Sequence, residues 1–429
     1  MKYITLLLLT TALFISCSNE DKNILNKADY ENYLQTENSQ EIAKAEKELS
    51  FWNERIKNDS IQLIELSKSA GMQTKIFQLN ASIEQLKNAE KNLTRSALVT
   101  NIGKDGKLLA LAQNYITQHR FKEAKSLVDS ARVIAGGEIK AINLVAFDVA
   151  MELGDYENAE KILTKETDFS DYNYLIRLGK LEDYKGNLDK TIQQMEAAKA
   201  IAESSKQKGL QVWVYTNLAD YYGHAGRIND AYIHYLKALA IDPSNAYAKK
   251  GIAWIAYSYE NNPTEALRII KTIERDSKSP DYELLKSEIY ESTGDEDSAE
   301  EALNNFLSRV SNPSYGDMYG AYLVEIYAGK PETSQQAIIL AQKEVNNRPT
   351  PMSYDLLAHA YYGTGDYKKA LSITQEHVIG KTHEPMAQFH TAQIYKALDM
   401  KNELAPIKEE LLETSFELGP VTYKEIQNL

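Results

Sequence analysis

A single cysteine, Cys17, in 429 residues excludes a disulfide within the chain. Proline and glycine are also sparse, at 10 and 20 residues. Proline inside a helix costs about 3 kcal/mol, so this scarcity leaves long stretches free to be helical. No long stretch alternates strictly between apolar and polar residues, and nothing in the pattern asks for a sheet. Runs of Lys and Arg are absent. Asp and Glu number 61 against 48 Lys and Arg, a formal net charge of -13, which argues against nucleic acid as a main partner. No His-Glu-x-x-His, Gly-x-Ser-x-Gly or Walker-type glycine loop is present. The seven histidines, His119, His224, His234, His359, His377, His383 and His390, are scattered along the chain. Asp220 and His224 share a helical face and could ligate a metal, but a polar chain this long produces such a pair readily by chance. No enzymatic activity, cofactor or metal is therefore expected.

The N-terminus is set apart from the rest. Met1-Lys2 is a short positive start, Tyr3 to Ile15 is an almost unbroken apolar run, and Ser16-Cys17 follows. The run is too short to span a bilayer comfortably, so residues 1–16 read as a cleaved signal peptide. "LFISC" resembles the lipobox of bacterial lipoproteins, with Phe14 where Leu is usual. That resemblance implies lipidation of Cys17, which would become the new N-terminus. Ser18 is compatible with outer-membrane sorting. "SNED" from Ser18 to Asp21 resembles the acidic stretch that sends lipoproteins of Bacteroidota to the cell surface. The expected location is the outer membrane, facing the periplasm or the cell surface. Residues 17–40 are polar without a sustained period and read as a tether.

From about Glu41 the pattern becomes helical. Ile42, Ala45, Leu49, Trp52 and Ile56 fall at steps of three and four, and two further helices follow within an N-terminal helical segment, residues 41–102. Beyond it a unit recurs. Between Tyr215 and Pro243, one apolar face of Tyr215, Leu218, Ala219 and Tyr222 is followed by Gly226. A second face of Ala231, Tyr235 and Ala238 then stops at Asp242-Pro243. This is a helix–turn–helix hairpin of about 34 residues. Its small second-helix residue can be followed through Ala124, Ala159, Thr191, Ala231, Ala266, Ala299, Ala337, Ala370 and Leu404. Small side chains are needed there because packed helices approach to about 8–10 Å. A first-helix aromatic tracks it through Tyr115, Tyr222, Tyr257, Tyr290, Tyr327, Tyr361 and Tyr395. Glycines 154, 186, 226, 294 and 365 precede second helices. The 40-residue step from Thr191 to Ala231 predicts a longer helix pair.

This recurrence resembles the tetratricopeptide repeat family over residues 103–429, in roughly nine hairpins, with a weaker tenth around Ile61 to Val99. Thr191 and Leu404 depart from the usual Ala. The resemblance implies an all-α fold, an α-solenoid wound as a right-handed superhelix, in which the first helix of each hairpin lines a concave groove. It also implies that the groove binds a peptide or protein segment. In that register Arg177, Lys180, Asn217, Asp220, His224, Lys250, Trp254 and Tyr257 are the candidate groove-binding residues. The expected function is a lipid-anchored scaffold that captures a protein or peptide partner of the cell envelope. A glycan-binding lipoprotein of the starch-utilisation type is the alternative. It is disfavoured because such proteins carry large loop insertions between repeats, whereas the longest interruption here is "SRVSNPSYGDM".

Overall fold

The computed structural model describes residues 23–57 and 62–429. Cys17 and the signal-like run lie outside the described residues. Among the described residues the chain is helical with no strand, and no helix is long and apolar enough to cross a membrane.

Three N-terminal helices, Ser39–Asn53, Leu63–Asn80 and Ile83–Val99, lead into nine consecutive hairpins, from Lys104–Thr117 with Phe121–Ala135 to Pro385–Ala397 with Lys401–Leu411. The 40-residue step is taken up by two long consecutive helices, Leu188–Ser205, which closes one hairpin, and Lys208–His224, which opens the next. The small-residue register sits where helices touch: Ala124, Ala159, Thr191, Ala231, Ala266, Ala337 and Ala370 are all buried. Ala299 and Leu404 are only partly buried. The five turn glycines all have positive φ, between 68° and 81°. In three of the other four hairpins His119, Asn261 and Asp399 take the left-handed conformation, with φ of 57°, 53° and 55°. A side chain there is strained by about 1–2 kcal/mol.

The solenoid curls until its early and late repeats meet. Asn347 Nδ2 donates to the His119 carbonyl at 3.0 Å, and Arg348 pairs with Glu152 at 3.3 Å. Gly154, with φ of 73°, lies so close to the Pro349 carbonyl that an added Cβ would meet it at 2.9 Å.

Two segments depart from the sequence reading. Residues 17–40 do not form a tether throughout. Lys27–Leu34 is a helix whose Tyr30 and Leu34 are buried. Tyr30 donates its hydroxyl to Glu265 at 2.7 Å, the Ile24 and Leu25 amides donate to Glu260 at 2.7 and 2.6 Å, and Arg268 grips Glu31 at 2.8 Å. Ile24, Leu25 and Tyr33 pack partly buried against the same core, but the segment is short and its other contacts are polar, so no sustained apolar period marks it. Arg268 and Lys27 hold the Glu265 carboxyl down to about 2. The second departure is the final helix, Ser415–Gln427, which does not extend the stack. It breaks at Gly419, with φ of 77°, and lies against first helices inside the curl.

Candidate functional site

The concave face is densest in polar and aromatic side chains where the helices Lys208–His224, Ala246–Trp254 and Asp281–Thr293 run side by side. Between them and the C-terminal segment lies a pocket of about 400 Å³, bordered among others by Asp220, His224, Lys250, Trp254, Glu288 and Phe416. Four of the eight candidate residues thus line one pocket.

Asp220 is held rigidly. It accepts the Tyr235 hydroxyl at 2.5 Å and the Tyr247 hydroxyl at 2.6 Å. Burial, only partly offset by these two donors, raises its carboxyl above the usual aspartate range. Tyr235 reaches Asp220 by crossing Gly251, where an added Cβ would fall 2.2 Å from the ring. Lys250 lies with its ammonium 5.5 Å from the Tyr247 ring centroid. Glu288 has an Oε1 atom with no hydrogen-bond partner, and burial pushes its carboxyl up to about 7.

The pocket's remaining wall is the chain's own C-terminus. Trp254 is partly buried, and its Nε1 donates to the Phe416 carbonyl at 3.0 Å. Ser258 Oγ donates to the same carbonyl at 2.7 Å. The Phe416 ring rests on Gly223, whose missing Cβ would meet it at 2.8 Å. His224 Nδ1 pairs with Glu417 at 3.0 Å. Burial disfavours the imidazolium, but Glu417 more than offsets this and holds His224 above its ordinary value. Gly419 lies over both Glu288 and Trp254, close enough that a Cβ would be 2.6 Å from the Glu288 carboxylate. Asp220 and His224 therefore have separate partners and do not form the joint metal pair that their spacing allowed.

The other four candidates lie elsewhere. Tyr257 does not face the groove. It is 1 % exposed, and its ring packs edge-on against Trp254 at 5.6 Å. It stands where Tyr222 stands in the preceding hairpin, also buried, at 2 %, so it belongs to the packing between helices; a π-helical turn spans Ile255–Tyr259. Arg177 is committed to the preceding repeat, pairing with Asp148 at 2.6 Å and donating to the Leu144 carbonyl at 3.1 Å. Lys180 likewise pairs with Glu152 at 2.7 Å. Asn217 donates back to the Trp213 carbonyl at 2.8 Å.

The scatter of histidines along the sequence conceals one grouping. His359 and His390 stack at 3.9 Å beside Glu325. The three residues stand on first helices of three successive hairpins, 34 and 31 positions apart. Glu325 and His359 share a register position at the repeat period, while His390 stands one helical turn earlier in the next hairpin.

A sequence model of the tetratricopeptide repeat matches residues 214–245, the hairpin whose first helix carries Asp220 and His224. No curated protein matches the chain. Among solved structures, the chain is similar to a Rap protein complexed with competence and sporulation factor, at 16% identity and a TM-score of 0.44, covering 61% of this chain and 79% of that one. It is similar to a tetratricopeptide repeat protein from Parabacteroides merdae at 15% identity and a TM-score of 0.39, covering 57% and 93%. It is also similar to YrrB, described as a TPR protein with an unusual peptide-binding site, at 18% identity and a TM-score of 0.27, covering 46% and 95%.

Proposed function

We propose that this tetratricopeptide-repeat chain is a lipid-anchored envelope scaffold that binds an extended polypeptide segment of a partner in its concave pocket. The observation that carries this reading is the seat of Phe416. Trp254 and Ser258 both donate to one main-chain carbonyl, and Gly223 leaves room for the ring beside it. Recognition of a backbone carbonyl together with one side chain suits a polypeptide. The neighbouring anion, cation and rings of Asp220, Lys250 and Tyr247 extend the surface available to such a segment. Large anchoring aromatics such as Trp254 commonly dominate binding energies.

The anchor rests on Cys17 and the apolar run before it. Ile24, which docks on Glu260, comes seven positions after Cys17, and seven extended steps reach about 25 Å at most. A lipid on Cys17 would therefore hold the repeats around Glu260 and Glu265 close to the membrane. Fatty acyl burial contributes about 0.8 kcal/mol per CH₂, so several chains on one cysteine hold firmly.

The test has two arms. Labelled palmitate should enter the wild type and not Cys17→Ala. An unlabelled, soluble wild type defeats the anchor. Purification of the membrane-bound protein should recover a protein partner, and that recovery should fall at least tenfold with Trp254→Ala once circular dichroism shows the variant folded. Retention on a glycan array without any protein partner would replace this reading with glycan binding.

A further inference from the structure

From the placement of Glu325, His359 and His390 we infer a binding site for one divalent transition-metal ion, with zinc as the ion it fits best. This inference does not depend on the polypeptide pocket.

The three residues come from the helices Gly320–Ala328, Pro351–Gly363 and Pro385–Ala397, each the first helix of its hairpin. Both imidazoles aim Nε2 at one carboxylate oxygen, Glu325 Oε2, from 3.5 Å for His359 and 3.4 Å for His390. These separations are at the outer limit of a hydrogen bond. They are what two ligand atoms show across the edge of a tetrahedron whose metal bonds are about 2.0–2.1 Å, since that edge is about 3.4 Å. The donor set of two imidazoles and a carboxylate is one that zinc takes in open sites.

The surroundings complete the pattern. His390 is 2 % exposed, and its other ring nitrogen, Nδ1, is held at 2.8 Å by Asp355 Oδ2, itself 2 % exposed. A carboxylate fixing the far nitrogen of a ligating histidine orients the ring and strengthens it as a donor. Without an ion, two carboxylates share a buried space with two stacked imidazoles, and at most part of that charge is compensated. A divalent cation on two neutral imidazoles balances both carboxylates. The Glu325 side chain is 35 % exposed, so a fourth position is open to water or to a donor from a bound molecule. The turn spacing of the repeats does the positioning. Each ligand is carried by a rigid helix packed on the next, which sets the three donors without a loop.

The test uses the full chain, stripped of metal with a chelator and dialysed, with Zn²⁺ alone as probe. Calorimetric titration should give one equivalent bound. Glu325→Gln and His359→Gln, both at positions that leave the His390–Asp355 pair in place, should each weaken binding at least 100-fold while circular dichroism stays unchanged. Asp355→Asn, which alters the hydrogen bond to His390 Nδ1 and no proposed ligand, should weaken it by about 10–100-fold. Co²⁺ loaded into the wild type provides a reading free of any variant, and intense visible d–d absorption is expected from a four-coordinate site. Absence of stoichiometric Zn²⁺ binding, binding unaffected by both Glu325→Gln and His359→Gln, or only the weak absorption of hydrated Co²⁺ would each overturn the site.

Discussion

Glu288 offers a quantitative test of how the C-terminal segment closes the pocket. Its carboxyl sits beneath Gly419 and beside Trp254, with one oxygen unpartnered. Burial raises it from the ordinary glutamate value of 4.5 to about 7, against a downward pull from Tyr257 and with a smaller upward push from the nearby Glu291 charge. The folded state therefore holds a proton that the unfolded chain releases at lower pH. Stability from this group is fully present below about pH 4.5 and is lost as pH rises through about 7. The gap between the two values corresponds to about 3 kcal/mol, a ceiling that water reaching the half-buried carboxylate lowers to about 1–2 kcal/mol. Glu288→Gln keeps the shape and removes the titration. Urea unfolding of both proteins between pH 5 and 8.5 isolates it, because every other group cancels in the difference. Wild type and variant should be about equally stable at pH 5, and the variant should be more stable by about 1–2 kcal/mol at pH 8. A difference that does not change with pH would refute the account of this buried carboxylate.

Three other outcomes follow from the packing. Ala231→Trp should overpack a fully closed helix contact and cost about 1–3 kcal/mol or more, whereas Lys237→Trp on the exposed face of the same helix should cost little. Equal melting temperatures would disprove the register. Gly419→Ala combines a strained φ of 77° with a clash against Glu288 and Trp254, so hydrogen exchange within residues 415–427 should accelerate while the repeats stay protected. Unchanged exchange would show that the seat tolerates a side chain. Tyr30→Ala should cost about 3 kcal/mol as a buried aromatic is lost, and limited proteolysis should then cut between residues 24 and 38. Resistance to cutting would mean that the polar contacts to Glu260, Arg268 and Asp276 suffice alone.

The repeat was legible because its physics is local and periodic. A glycine that must adopt positive φ and an alanine that must let two helices touch recur every 32–40 residues, and both signals were met at Gly226 and Ala231. The docking of Lys27–Leu34 was not legible, because its apolar anchors fall within one short helix and the partners Glu260, Glu265 and Arg268 are more than 200 positions away. The return of Ser415–Gln427 into the groove was hidden for a similar reason. Its own Phe416 carbonyl accepts from Trp254 and Ser258, and a main-chain carbonyl carries no residue signature. The helical register put Asp220, His224, Lys250 and Trp254 along one stretch of groove, and all four border one pocket. Tyr257 was misplaced because it holds the packing position of the first-helix aromatic, buried as Tyr222 is, and not a groove position. Arg177 and Lys180 were exposed by register, but carboxylates one repeat earlier claim them. His359 and His390 escaped attention because linear spacing was weighed within one helix rather than across the repeat period.

The central claim, that the pocket between Asp220 and Glu288 receives a polypeptide, is tested most directly by site-specific photo-crosslinking in the native membrane. A benzophenone amino acid replaces Tyr247, which borders the pocket, and in a second protein it replaces Lys237, exposed on the opposite side of the hairpin. The account predicts a discrete protein adduct from position 247, none from position 237, and loss of the adduct when Trp254→Ala is added. Adducts of equal yield at both positions, or a protein adduct at 237 alone, would contradict it.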